Sequence, residues 1–266
     1  MIELQLVFIF LICVIATTIG AISGIGGGII IRPLMDIGTN FGTTTVSFLS
    51  GCTVLVMAAV ALLKSKNSGL NFERGRGTAI AAGAAIGGIL GQTIFEALLI
   101  HFADEALVGA IQSAVLICVL LLALVYTARK GKLRTNNVQN RAFCLAAGLI
   151  LGIISAFLGI GGGPVNLLAL SFLFGMPAKT AALHSIYIIL FAQAAALLQT
   201  LMLGTVPDFA PLMLAVMITA GILGGLIGSH ISKKLSDGHV DKLFMCVLLV
   251  VCGFGAYNLF LYMYTL

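Results

Sequence analysis

A chain of 266 residues that is 60% hydrophobic and 9% charged, with a mean hydropathy of +1.17, is not built as a soluble domain, because soluble domains carry about 25% charged residues. The formal net charge of +5 does not point to nucleic acid either. The basic residues sit in short loops between apolar runs, where membrane topology accounts for them. Those runs are continuous rather than alternating, so helices and not a β-barrel are the spanning elements.

The first apolar run covers 5–23. Its early charge is Glu3, and a signal peptide wants a basic start, so a retained membrane segment is expected. Gly24-Ile25-Gly26-Gly27-Gly28 follows, then a short run at 27–38 that carries Arg32, Pro33 and Asp36. Arg32 and Asp36 are four apart, a spacing that favours pairing on one helix face. They form either a structural ion pair or a functional charge near the membrane. The run 44–63 starts in a hydroxyl cluster of Thr43, Thr44, Thr45, Ser47 and Ser50. Such hydroxyls cap helix starts or face a substrate. Runs at 77–99 and 106–128 complete the first half, with Glu96 and His101 at an expected interface.

The stretch 129–141 holds Arg129, Lys130, Lys132, Arg134 and Arg141 and divides the chain into a first repeat (1–128) and a second (142–266), joined by a cytoplasmic linker. After the run 142–159 comes a second glycine word, Gly159-Ile160-Gly161-Gly162-Gly163, running into Pro164. Proline suits a first helical turn. A short run, 163–175, contains Asn166, which donates to a substrate or caps backbone. Runs at 180–203, 210–231 and 241–264 follow. His184 and Ser185 lie early in the first of these and Gln193 lies deeper. Histidine there is an interfacial group or a proton carrier, and Gln193 suits a helix–helix hydrogen bond equally well.

The two glycine words are 135 positions apart. At that offset Thr45 falls on Thr180 and Ser50 on Ser185. At an offset of 137, Gly87, Gly88 and Gly91 fall on Gly224, Gly225 and Gly228, and Asp104 falls on Asp241. Corresponding loops differ in charge. Loop 64–76 is basic and 100–105 is not, whereas 204–209 lacks Lys and Arg and 232–242 has Lys233, Lys234 and Lys242. Equivalent loops therefore face opposite sides of the bilayer, which predicts inverted repeats. Inversion needs an odd number of crossings in each half. Four strong runs plus one short one give five, hence ten segments and both termini outside. A re-entrant short run would give six crossings in all.

Glycine triplets at the edge of an apolar run unwind a helix. The freed backbone must be buried or line a watery cavity, and a helix start there attracts anions. The rival reading is close packing, which is the simpler one for the small-xxx-small set Gly87, Gly91, Gly224 and Gly228. A nucleotide-binding loop does not fit, since no Lys-Ser/Thr follows. The six cysteines (Cys13, Cys52, Cys118, Cys144, Cys246, Cys252) lie inside apolar runs without C-x-x-C spacing and read as small hydrophobes. No metal-ligand set and no catalytic constellation is recognised, and Ser185 beside His184 does not make a protease pair. Neither a cofactor nor a metal is expected.

GIGGGIIIRPLMD with the threonine-rich start that follows, and GIGGGPVNLLAL followed by GMPAKTAALHS, resemble the sulfite exporter TauE/SafE family over essentially the whole chain. The resemblance implies a bacterial-type multi-pass plasma-membrane permease for small anions such as sulfite, thiosulfate, sulfonates or related organic acids. Arg32 with Asp36 makes the first motif more charged than the plain apolar-proline version. The expected fold is an all-α polytopic bundle of two inverted repeats with short or broken helices at the glycine motifs. The expected substrate contacts are the backbone N–H groups around Gly26, Gly27 and Gly28 and around Gly161, Gly162 and Gly163. Asn166, Ser50, Ser185, His184 and Arg32 add side-chain donors. The expected partners are a small anionic substrate and the lipid bilayer, not nucleic acid, with a homodimer as an open possibility. An anion channel and a non-transporting membrane scaffold are the alternative functions.

Overall fold

A computed structural model describes residues 2–39, 41–65, 74–102, 105–129, 138–159 and 162–265. Within these residues the chain forms ten α-helices. They are α1 (Ile2–Ser23), α2 (Gly28–Gly38), α3 (Thr43–Ser65), α4 (Arg74–Phe102), α5 (Glu105–Arg129), α6 (Arg141–Leu158), α7 (Gly163–Phe174), α8 (Ala178–Leu203), α9 (Pro211–Lys234) and α10 (Asp237–Thr265). Eight are long and apolar enough to cross a membrane. The other two, α2 with 11 residues and α7 with 12, reach only about 16–18 Å at 1.5 Å per residue, roughly half a bilayer core. The expected linker spans the gap between α5 and α6, and residues 130–137 of it lie outside the described residues.

Helix ends follow local chemistry. Gly159, Gly162, Gly175 and Gly204 adopt φ of 61°, 61°, 63° and 67°, a left-handed conformation that glycine reaches without a Cβ penalty. Pro164 and Pro211 sit in the opening turns of α7 and α9, where no intrahelical N–H is lost. The Asn140 side chain accepts from the Ala142 backbone N–H at 2.9 Å and caps α6.

Contacts along the helices fix their directions. The Thr17 hydroxyl donates to the Ala220 carbonyl, and Gly228 packs on Ala21, so α1 and α9 run parallel. Gly221 lies on Thr53 and Gly225 on Val60, so α3 runs parallel to both. Between α1 and α3, α2 returns along α1, with Gly27 beside Thr17 and Gly38 beside Phe8. The short α2 therefore reverses the chain as a crossing would. On the other side of the bundle α4 from the first half joins α6 and α8 from the second, and the three share one direction. Gly83 and Gly91 pack on Leu145 and Ile153, Gly88 packs on Ala192, and Gln199 donates to Thr93. There α7 is the returning element, with Gly162 beside Ser155 and the Leu173 carbonyl bonded to Val138 N–H.

Helix partners recur between the halves. The pair α1–α9 has its counterpart in α6–α4, α3–α9 in α8–α4, and α2–α10 in α7–α5. Lys64, Arg76, Arg129, Arg141, Lys179, Lys233, Lys234 and Lys242 all fall at one end of the bundle, which is called the basic end below. The start of α1 and the end of α10 lie at the other end.

The α4–α6 seam is made of glycine. A Cβ at Gly87 would run into the carbonyl of Leu149, and one at Gly148 into the carbonyl of Ile80. Backbone cannot swing aside as a side chain can, so packing in this seam is set by the missing methyls. Gly87→Val should lower stability by about 1–3 kcal/mol, read as a lower melting temperature in detergent. An unchanged melting temperature would show that the seam is slack.

Candidate functional site

The two glycine words form two elbows, one joining α1 to α2 and one joining α6 to α7. In the first, Gly24 and Gly26 both have φ of 77°, and residues 24–28 are all buried. The second elbow passes through Gly159 and Gly162, and Gly161 lies outside the described residues. The elbows touch. The Cα of Gly163, the first residue of α7, faces the Ile25 carbonyl so closely that a Cβ would collide with the Ile25 backbone.

Helices that stop inside a bundle leave carbonyls without intrahelical partners, and each elbow satisfies its own from afar. At the end of α1, the Gly24 carbonyl accepts from the Ser185 hydroxyl at 2.5 Å. The Leu158 carbonyl at the end of α6 accepts from Arg32 Nη1, and the Phe157 carbonyl accepts from Gln112 Nε2 at 2.5 Å. Arg32 Nη2 donates in turn to Gln112 Oε1. Asp36, expected as the partner of Arg32, accepts from Asn258 Nδ2 at 3.4 Å, and Asn258 also donates to the Pro33 carbonyl at 3.3 Å. Arg32 is thus a strut across the second elbow. Its guanidinium and the Ser47 hydroxyl flank Gly159, where a Cβ would meet them at 2.9 and 3.0 Å.

Ser185, Gly24, Ile25 and Gly163 come together at the first elbow, and Arg32, Gly159, Ser47 and Gln112 at the second. Ser50 is fully buried and its hydroxyl has no hydrogen-bond partner, although its counterpart Ser185 caps a carbonyl. The equivalent work at the second elbow falls to Arg32. The Asn166 side chain is also fully buried, and neither of its amide atoms has a partner. At the offset of 135 it stands where the first half has Ile31, a member of an apolar cluster with Leu49. The counterpart of Leu49 is His184, whose Nδ1 donates to the Thr180 carbonyl at 2.9 Å. Asn166 and His184 thus occupy positions whose counterparts at that offset in the first half are hydrocarbon.

Two cavities approach the elbows from opposite ends. One, of about 240 Å³, is lined by Thr44, Ser47, Phe48, Gln92, Phe95, Glu96, Ala156, Gly159, Gln193, Ala196 and Thr200 among others. The second, of about 260 Å³, opens at the basic end and is lined by Ala21, Ala61, Ser65, Lys179, Ala182, Leu183, Ile186, Ser229, Ser232 and Lys233. Except for Ile186, every residue of the second cavity corresponds to a residue of the first. Six pairs are offset by 135: Ala21 and Ala156, Ala61 and Ala196, Ser65 and Thr200, Lys179 and Thr44, Ala182 and Ser47, Leu183 and Phe48. Three are offset by 137: Ser229 and Gln92, Ser232 and Phe95, Lys233 and Glu96. The elbows lie between the cavities. Gly159 reaches the wall of the first, while Gly26, Gly27, Gly28, Gly162, Gly163, Asn166, Ser50, Ser185, His184 and Arg32 line neither.

Gln112 was not singled out by the sequence reading. The signal available was one carboxamide inside the apolar run 106–128. In the sequence Lys233 stands as a loop charge and Glu96 as an interfacial one.

A relative from Bacillus subtilis (strain 168) with the printed name "Probable membrane transporter protein YunE" is 25% identical over 274 residues, covering 93% of this chain and 96% of the relative. The family model described as Sulfite exporter TauE/SafE matches residues 9–254, spanning both elbows and both cavities. The chain, a multi-pass membrane protein, therefore belongs to the sulfite exporter TauE/SafE family of membrane transporters.

Proposed function

We propose that the protein moves a small anion, sulfite or another sulfur-containing or organic acid, across the membrane by alternating access between inverted repeats. The observation that carries this reading is the pair of cavities. They open at opposite ends, are similar in volume, are lined by corresponding positions of the two halves, and stop at the same pair of touching elbows. A pore would be continuous. Two closed-ended cavities around a common barrier suit a site that is offered first to one side and then to the other. Rocking one repeat or bundle against the other would open one cavity to the elbows as it sealed its counterpart.

The elbows supply what an anion needs at such a barrier. The opening turns of α2 and α7 carry N–H groups without partners inside their own helices, and the positive ends of both dipoles lie there. Ser50 and Asn166 are the nearby buried side-chain donors without a partner among the described residues, and His184, with Nδ1 on the Thr180 carbonyl, adds a second donor when protonated; Ser185 holds the Gly24 carbonyl in place. Arg32 contributes a buried positive charge through its link to the second elbow. With Lys and Arg marking the cytoplasm, the basic end is cytoplasmic and both chain termini lie outside.

Counterflow in proteoliposomes tests the reading. Unlabelled sulfite or thiosulfate inside the vesicles should accelerate entry of the labelled anion several-fold. Flux without trans-stimulation would identify a channel instead, and the absence of flux for every small anion would favour a scaffold.

A further inference from the structure

The two cavities match in position but not in charge. At the basic end, Lys179 and Lys233 stand where the opposite cavity has Thr44 and Glu96. Ser65, Ser229 and Ser232 surround them with hydroxyls. Ser229 and Lys233 also line an adjoining recess of about 380 Å³ together with Lys64 and His230, so the positive surface continues outward. Among the described residues, Asp237 brings a carboxylate to this group. Asp237 Oδ1 accepts from the backbone N–H of Lys179 at 2.8 Å, while Lys179 Nζ donates to the Lys233 carbonyl at 3.5 Å. On the other side, Glu96 is fixed in the wall by Gln92 Nε2 at 3.0 Å and the Thr205 hydroxyl at 3.2 Å.

We infer that the Lys179–Lys233 cavity is a capture site for small oxyanions and sulfonates, so that the transporter loads more readily from the basic end than from the Glu96 end. This rests on the anion reading above and adds its sidedness. A cleft with low-dielectric walls and one sign of charge focuses the field and raises the local concentration of counter-ions. Three lysines provide that at one mouth, with Ser65 and Ser229 spending their hydroxyl protons on the carbonyls of Leu62 and Leu226, and a carboxylate at the corresponding position repels anions at the other. The asymmetry changes apparent affinity on the two faces. It does not change the equilibrium, which the gradients alone determine. Lysines that served only to set topology would have no reason to line a cavity.

Charged thiol reagents read this without knowledge of the natural substrate. Ser229→Cys and Gln92→Cys occupy corresponding positions in the two cavities, and the parent protein supplies the background from its own cysteines. An anionic sulfonate methanethiosulfonate and its cationic trimethylammonium analogue are applied to each variant in detergent. The anionic-to-cationic rate ratio should be about tenfold or more higher at Ser229→Cys than at Gln92→Cys. It should fall when either Lys179→Gln or Lys233→Gln is added and when ionic strength is raised. Methanesulfonate should slow modification of Ser229→Cys, whereas lactobionate, too bulky for the cavity, should not at equal ionic strength. In vesicles, the KM for sulfite at the basic face should lie several-fold below that at the other face, and Lys233→Gln should raise only the former. Equal rate ratios in the two cavities, ratios indifferent to both lysine variants, or no protection by methanesulfonate would overturn the proposal. If counterflow succeeds while these fail, sidedness alone falls. Selective modification with protection but no counterflow would leave an anion site in a protein that does not transport.

Discussion

Gly163→Ala will abolish transport and lower the melting temperature of the purified protein, while Gly253→Ala will do neither. Both glycines are helical, yet their surroundings are opposite. Around Gly253 nothing lies within 4 Å of an added Cβ, whereas at Gly163 the methyl would overlap the carbonyl, carbonyl carbon and Cα of Ile25. The obstacle is backbone, and the backbone of the other elbow. No rotamer relieves it, so the elbows must separate or the helix starts must shift. Overpacking of this kind costs about 1–3 kcal/mol and sometimes more, and the upper end is expected where neither side can yield. Gly253→Ala exchanges one open helical position for a better helix former, worth up to about 1 kcal/mol in the favourable direction. Melting in detergent and counterflow in vesicles measure the pair. Wild-type transport by Gly163→Ala would mean that contact between the elbows is dispensable.

The second large effect is expected at Arg32. Its guanidinium joins the Leu158 carbonyl to Gln112, and Gln112 carries the chain on to the Phe157 carbonyl. Arg32→Leu removes the donor to two buried acceptors and takes away the positive charge near Asp36. Breaking a buried charged network by deleting one member costs about 3–5 kcal/mol. Arg32→Lys keeps the charge but has no planar fork to reach both acceptors, so it should recover only part of the loss. Gln112→Leu should destabilise less. Arg32→Leu and Gln112→Leu together should be less harmful than their sum, with a coupling of about 0.5–3 kcal/mol in a thermal or denaturant cycle. Strict additivity would show that the strut is not a unit.

Much of this architecture was legible from residue order alone. A run of apolar residues long enough to cross a bilayer is a local property, and all ten predicted segments coincide with helices to within a few residues. The elbows were legible too, because a glycine triplet between a long apolar run and a short one, repeated at a fixed offset, marks a chain break that a packing seam within one long run does not. The destination of Arg32 was not. Its spacing suggested Asp36, a neighbour on the same helix, yet its partners lie 80 and 126 positions away. Helix breaking creates acceptors whose location depends on how the halves interlock, and no local pattern encodes that. The cavity walls were hidden for the same reason. Lys179 and Lys233 come from α8 and α9, and only the fold brings them to one opening. Ser185 reads from the sequence as a donor to the substrate, whereas in the fold its hydroxyl is committed to the Gly24 carbonyl.

That last bond bears on biosynthesis. The donor lies 161 residues downstream of the carbonyl it satisfies. While the first half of the chain is being inserted, α8 has not yet been made, so the bend after α1 lacks the donor that answers its carbonyl in the finished fold. An unsatisfied backbone group in hydrocarbon costs several kcal/mol. The first half is therefore poorly suited to diffusing away into lipid as a finished unit. It is better retained at the insertion machinery, or kept in a wet groove, until α8 arrives with Ser185. By this bond the earliest elbow in the chain can be completed only after α8 has been made.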